Sequence, residues 1–211
     1  MIASILNPWT ISRVCAGSFG AITETEFVSG NRRLTASVHS EDLWIAIKDI
    51  LVYEEYELMR PFRCANLNGG LVVDIGAQVG LYSLKAASFA GRVVSFEPSA
   101  RNFPLLKANI RRNSLSNVGI HQQAVWSSRG NVKFTDRGSG YISMVGGAEG
   151  GYEVQTITLD DVIEKAGKVS LLKMDIEGAE YEVFSSCKKS SLDQVEKIVA
   201  EVHLHGPDHP R

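Results

Sequence analysis

Two groups of residues in this chain have the types and spacing that chemistry requires. The first is Asp74-x-Gly76-x-x-x-Gly80 within VVDIGAQVGLYSLKAA, where an apolar run ends on a carboxylate and meets two glycines before a helical pattern begins. Glycine permits both a tight turn and close backbone approach to a ligand. Glu97, at the end of the next apolar run, RVVSFEP, lies where a carboxylate can accept hydrogen bonds from the two hydroxyls of a ribose. Together they point to a nucleoside ligand, with Ala77 and Pro98 as the neighbours that would line it. The spacing is not GxGxxG, so the third glycine that supports packing around a pyrophosphate is missing, and S-adenosylmethionine fits better than a dinucleotide. Asp74 would then help orient the ammonium end of that cofactor.

The second group is LLKMDIEGAE, which crowds Asp175, Glu177 and Glu180 into one short stretch at the end of another apolar run. Acids in the first turn of a helix are favoured by the helix dipole, so part of this cluster has a purely structural explanation, above all at Glu180. Asp175 ends the run itself. We expect it to position the methionine end of the cofactor or the acceptor, with Glu177 beside it. Further on, EVHLHGPDH places His203 and His205 two apart, hence on one face of a strand, followed by Asp208 and His209. The pattern HxHxxDH is one residue too long for the HxHxDH motif of metallo-β-lactamase-like hydrolases, and we expect no metal here, although Glu201 shares a face with His203. His203 is the third candidate for the catalytic machinery, as an acceptor contact or general base, against the alternative of an ordinary strand end.

These groups need elements to hold them. From Leu71 onward, strand and helix patterns alternate: LVVDI, then VGLYSLKAASFA with Gly91 suited to its C-cap, RVVSFEP, NFPLLKANIRRN, VGIHQQAVW, NVKFTD, TLDDVIEKAG, LLKMD, AEYEVFSSC and VEKIVAEVHL. Such alternation predicts an α/β fold, a doubly wound and mostly parallel sheet with right-handed crossovers, whose ligands lie beyond the carboxyl ends of the strands. Residues 1–70 have a different character. AITETEFV and RRLTASVH alternate around Ser29-Gly30-Asn31 and predict a hairpin, LWIAIKDI reads as a third strand, and EEYELMRPF as a turn of helix stopping at Pro61. We therefore divide the chain into a small β-rich cap, 1–70, and a nucleoside-binding core, 71–211. The glycine-rich RGSGYISMVGGAEGGYE reads either as a lid over the acceptor, with Tyr141 and Ser143 in contact with it, or as an ordinary loop.

Composition limits the remaining choices. The 211 residues carry a net charge of -2, without the basic field that nucleic-acid binding requires. The three cysteines, Cys15, Cys64 and Cys187, form no CxxC pair and suggest a reducing compartment. With no leader pattern and no apolar run long enough to span a bilayer, the expectation is a cytoplasmic protein with neither nucleic-acid nor membrane partners.

In order and spacing, DIGAQVGLYSLKAA, SFEPSARNFPLLKANIRRN, QAVW, TITLDDVI, LLKMDIEGAEYEVF and EVHLH resemble the FkbM family of S-adenosylmethionine-dependent methyltransferases, whose fold is the Rossmann-like class I type. The resemblance covers about residues 50 to 205. It implies a cofactor loop of Asp74, Gly76 and Gly80, a ribose contact at Glu97, and Gln123 and Ala124 along the adenine edge. It also implies O-methylation, which agrees with the absence of an Asn-Pro-Pro-Tyr or Asp-Pro-Pro-Tyr motif after Met174. The acceptor would be a hydroxyl on a small molecule or glycan. Two other readings of the same residues are an NAD(P)-linked oxidoreductase, disfavoured by the glycine spacing, and a non-catalytic nucleoside-binding domain. Family members usually continue into two more strands paired antiparallel at the sheet edge, for which the eight residues after His203 leave no room, so we expect either that the chain is cut short or that this member closes its sheet differently. A bare edge there would invite aggregation or pairing with a second chain, as in a homodimer.

Overall fold

Alternation in ITETEFVS and RRLTASVH closes a hairpin: β1 (Ile22–Ser29) pairs antiparallel with β2 (Arg32–His39). The computed structural model describes residues 21–43, 47–52, 54–136, 142–143 and 151–203. After the hairpin come short helical turns at Ile47–Val52, Glu55–Glu57, Arg60–Phe62 and Cys64–Asn66. The core then runs β3 (Leu71–Ile75), α1 (Leu81–Ala86), β4 (Arg92–Phe96), α2 (Phe103–Arg112), β5 (Val118–His121), β6 (Ala124–Trp126), β7 (Gly130–Asp136), β8 (Ile142–Ser143) and β9 (Tyr152–Thr158). It continues through α3 (Leu159–Ala166), β10 (Leu171–Met174), α4 (Glu180–Ser186), α5 (Lys189–Leu192) and β11 (Ile198–Ala200).

Five strands form a parallel sheet in the order β11-β10-β3-β4-β5. Because side chains alternate across a strand, each strand feeds two cores. Val72, Val93 and Leu171 enter one with Phe27 and Leu34 of the hairpin, Leu84 of α1 and Leu106 of α2. Val73, Val94 and Leu172 enter the other with Val162 and Ile163 of α3 and Val183 of α4. Helices thus cover both faces, the doubly wound arrangement expected. The chain runs from central β3 outward to β4 and β5, then returns to β10 on the other side. The order therefore reverses between β3 and β10.

Several details differ from the sequence expectation. The described residues of LWIAIKDI, Leu43 and Ile47–Ile50, do not form a strand. Residues 44–46 lie outside the described residues, and Ile47–Val52 winds as a helical turn that buries Ile47 and Leu51, one turn apart, on the same side. EEYELMRPF splits into two turns, with Pro61 inside the second, where its missing N–H leaves no helical bond unmade. Helix α1 stops at Ala86, short of Gly91, whose N–H instead donates to the Gly70 carbonyl at 3.0 Å. VGIHQQAVW breaks at Gln122-Gln123: β5 joins the parallel sheet, whereas β6 joins a second sheet ordered β6-β9-β7-β8. That second sheet contains β9, which the glycine-rich reading concealed. Residues 137–141 and 144–150 of the proposed lid, Tyr141 included, lie outside the described residues, as do His205, Asp208 and His209.

Among the described residues of the expected strand 195–204, Ile198–Ala200 is strand. Glu201 N–H still donates to Met174 O at 3.0 Å, while Val202 and His203 are outside the strand. Among the described strands, β11 pairs with β10 alone and forms one edge of the sheet. Among the described residues, no helix is long and apolar enough to cross a membrane.

Candidate active site

The strand ends at the reversal point surround a cleft of about 510 Å³ including its mouth. Gly76, Glu97, Pro98, Gln123 and Ala124 line it, so the structure brings together five residues singled out by sequence. Its apolar walls come from Ile75, Phe96, Val125 and Ile176, and from Trp126, Val132 and Phe134 of the second sheet. The apolar wall suits a flat heterocycle.

Glu97 is the polar anchor of this cleft, at 1% exposure. Its Oε2 accepts the Gln78 N–H at 2.7 Å and its Oε1 accepts the Ser99 N–H at 2.9 Å. Burial pushes the carboxyl up to about 7, against the pull of those two N–H groups and of Lys173. A carboxylate offers roughly four acceptor positions, and two donors fill only half of them. The remaining capacity fits two ribose hydroxyls. Tyr152 holds the wall around this loop, accepting the Ala100 N–H and donating to Asp136 Oδ2, both at 2.7 Å.

The glycines serve packing as much as ligand approach. At Gly76 (φ +78°), a Cβ would fall 1.7 Å from the carbonyl oxygen of Asp175, because β3 and β10 converge there. At Gly80 (φ +90°) it would meet Leu106 Cδ1 at 2.5 Å. Gly76→Ala should therefore displace the end of β10 together with Asp175. We expect a loss of about 3 kcal/mol or more, read as a fall in Tm of roughly 6–12 °C; unchanged thermal unfolding would refute the packing role. Asp74 also differs from expectation. At 0% exposure it lies behind the loop and outside the cleft lining, accepting from Ser83 Oγ and standing 3.5 Å from Lys173 Nζ. Ala77 is likewise buried beneath the loop.

Glu177 lies beside Asp175, and the fold also brings in His203, 28 positions further along the chain. His203 Nε2 lies 3.2 Å from Glu177 Oε2 and 3.5 Å from Glu201 Oε1, and Nδ1 lies 3.2 Å from Glu180 Oε1. Glu180 is fixed in turn by the Ile176 and Gly178 N–H groups, at 3.0 Å each. Burial alone would raise Glu180, but these N–H groups and His203 hold it below the usual carboxylate range. Burial, then the charge of Asp175, pushes Glu177 up to about 7. Burial lowers His203, but Glu177, Glu180 and Asp175 more than offset this and raise it above 6.5. One atom from each of Asp175, Glu177 and His203 lies within 4.8 Å of the others, a spacing that a metal ion tolerates. Each already has a protein partner: Tyr56 for Asp175, and His203 and Glu177 for one another.

Sequence reasoning missed Tyr56 and Lys173. Lys173 Nζ donates to Gly76 O at 2.9 Å and stands 3.9 Å from Asp175 Oδ2, joining the cleft loop to the carboxylate cluster. A lysine inside an otherwise apolar central strand was the signal for it. Tyr56 had no such signal.

The fold thus sets a buried carboxylate at a cleft beside the reversal point of a doubly wound sheet, with a histidine–carboxylate cluster at the neighbouring strand end. Over residues 74–211 the chain matches the methyltransferase FkbM domain, and it belongs to that family. That family is one of methyltransferases, and the chain spans only a small part of the first relative it matches. Similar proteins include the AMB antimetabolite synthetase AmbE of Pseudomonas aeruginosa, 28% identical over 228 residues, which span 85% of this chain and 10% of AmbE. The methyltransferase sdnD of Sordaria araneosa is 24% identical over 221 residues, 86% of this chain and 83% of sdnD. Among solved structures, methyltransferase FkbM from Methylobacillus flagellatus KT aligns with a TM-score of 0.43 at 20% identity, over 56% of this chain and 29% of that one. Trm5b from Pyrococcus abyssi aligns with a TM-score of 0.41 at 16% identity, over 82% and 38%.

Proposed function

We propose that this protein transfers a methyl group from S-adenosylmethionine to a hydroxyl of a small-molecule or glycan acceptor. The observation that carries this reading is the adjacency of the two sites. A buried carboxylate with spare acceptor capacity anchors the apolar cleft, and Lys173 links the cleft loop to a histidine paired with two carboxylates. In this reading Glu97 holds the ribose, Gln123 and Ala124 run along the adenine, and Gly76, Gly80, Ala77 and Pro98 shape the loop around it. Asp74 acts from behind, by fixing Ser83 and Lys173. When bound, S-adenosylmethionine supplies a methyl group made electrophilic by its sulfonium.

The remaining work falls to the chain. The acceptor hydroxyl must be held in line with that methyl in a site that excludes water, and such positioning is worth up to roughly 7–11 kcal/mol. Asp175 is placed to orient the acceptor. With Nδ1–H donated to Glu180, His203 presents Nε2 toward Glu177, and the pair takes up the proton lost by the hydroxyl as the new C–O bond forms. His203 and Glu177 titrate as a unit, so neither owns a separate pKa. The base must be unprotonated, so turnover should climb as pH rises through about 7 and then level off.

A screen of hydroxyl-bearing small molecules and glycans with methyl-labelled S-adenosylmethionine, with matched amines alongside, tests the proposal. Label on oxygen supports it. Label confined to nitrogen would overturn the choice of acceptor.

A further inference from the structure

We propose that Tyr56, delivered by the segment that precedes the core sheet, is a positioning residue that sets the protonation of His203 by holding Asp175 and Glu201. The proposal rests on the assignment of Asp175, Glu177 and His203 to the acceptor site. Tyr56 Oη donates to Asp175 Oδ2 at 2.7 Å and lies 3.3 Å from Glu201 Oε2, so one phenol faces two carboxylates from different strand ends. The hydroxyl remains protonated throughout the working range, because burial and then Asp175 push it well above the usual phenol range. It therefore acts as a fixed donor among acids. Its ring has little freedom either: Lys173 Nζ lies 4.9 Å from the centroid on one side, and Tyr82 packs edge-on at 5.6 Å.

What holds the turn is a buried ion cluster. Lys85 Nζ, on a side chain only 4% exposed, lies 2.9 Å from Glu54 Oε1 and 2.6 Å from Glu57 Oε1, carboxylates on either side of Tyr56, two residues before it and one after. Tyr82 and Lys85 are three apart on α1 and so share a face. That face grips the turn at the ring and at both flanking acids. Glu57 also accepts the Cys64 N–H at 2.7 Å, extending the grip to the next turn. A buried ion pair of this kind contributes little net stability yet restricts the chain to one arrangement. Here that arrangement aims a hydroxyl at the catalytic carboxylates.

The consequence for His203 follows from its neighbours. It is faced by Glu177 from the loop before α4, by Glu180 from the start of α4, by Asp175 just past β10 and by Glu201 from beyond β11. Lys173 stands on the far side of Asp175. Without the phenol, Asp175 loses the hydrogen bond that fixes it, and Glu201, already raised by burial and by Asp175, loses a donor that favours its ionised form. Glu201 would then take up its proton at higher pH, less negative charge would face the imidazole, and His203 would become a weaker base.

The test is an NMR titration of the histidine ring signals in the full chain, with His203 identified by the signal lost in His203→Gln. Tyr56→Phe should lower the His203 midpoint by about half a pH unit or more. Lys85→Met should lower it too, and the double variant should move it no further than Tyr56→Phe alone. An unchanged midpoint in folded Tyr56→Phe would overturn the proposal, and so would simple additivity of the two changes. Should Lys85→Met fail to fold, Tyr56→Phe decides alone, since it removes one oxygen and keeps the ring. Calorimetry with S-adenosylhomocysteine on the same samples separates the two claims. Absence of binding by the parent chain would sink the cofactor assignment, whereas the Tyr56 result is read from His203 regardless.

Discussion

Glu97→Ala should weaken S-adenosylhomocysteine binding by about 100-fold or more while leaving the protein folded. Hydrogen bonds to a charged acceptor contribute about 1.5–3 kcal/mol each, and two ribose hydroxyls on one buried carboxylate would therefore account for about two orders of magnitude at the lower bound. The fold should tolerate the change because the carboxylate is itself a burden. Its folded pKa is about 7, above its ordinary 4.5, so the folded state binds the proton more tightly than the unfolded chain. That stabilising contribution is complete below about pH 4.5 and is lost as pH rises through about 7, a change of about 3 kcal/mol. Removing the carboxyl abolishes this loss, against about 1–3 kcal/mol for each of the Gln78 and Ser99 N–H groups left without an acceptor. Calorimetric titration and thermal unfolding at pH 8 together check the claim. Binding within a few-fold of the parent would remove Glu97 from the ribose.

His203→Ala should show the opposite division of effects. Loss of a positioned general base lowers turnover by about 100-fold to 10,000-fold, with nucleoside binding unchanged because the cleft lining does not include His203. Glu177→Gln is the more diagnostic partner. It removes the charge that most raises His203 and leaves burial to lower the imidazole. The rising limb of the pH–rate profile should then shift to lower pH. Measured on the acceptor found by the methyl-label screen, a limb that stays in place would mean that the pair does not carry the proton.

The parallel sheet and the glycine loop beside the cleft were legible because their determinants are local. Apolar strands ending on Asp74, Glu97 and Asp175 announce both the sheet and the edge where ligands collect, and family resemblance added Gln123 and Ala124, which line the cleft. Glycine spacing revealed the loop but not the force behind it. Gly76 is required by the Asp175 carbonyl, a contact between strands far apart in sequence. Asp74 looked like a ligand residue from its position, yet a strand-end side chain can point behind the loop, and here it meets Ser83 and Lys173. Strand β9 was hidden because YEVQTIT follows a run of glycines; its Val-Gln-Thr-Ile-Thr alternation was the available signal. Tyr56 was beyond reach. Its segment has no clear period, and the hydroxyl meets Asp175 across 119 positions of chain.

The most direct test of the central claim is calorimetric titration of the purified protein with S-adenosylmethionine, S-adenosylhomocysteine and NADH in parallel. Binding of both sulfur nucleosides, with no heat from NADH, is the predicted result. Binding of NADH alone would contradict the assignment of the cleft and return the fold to the oxidoreductase reading.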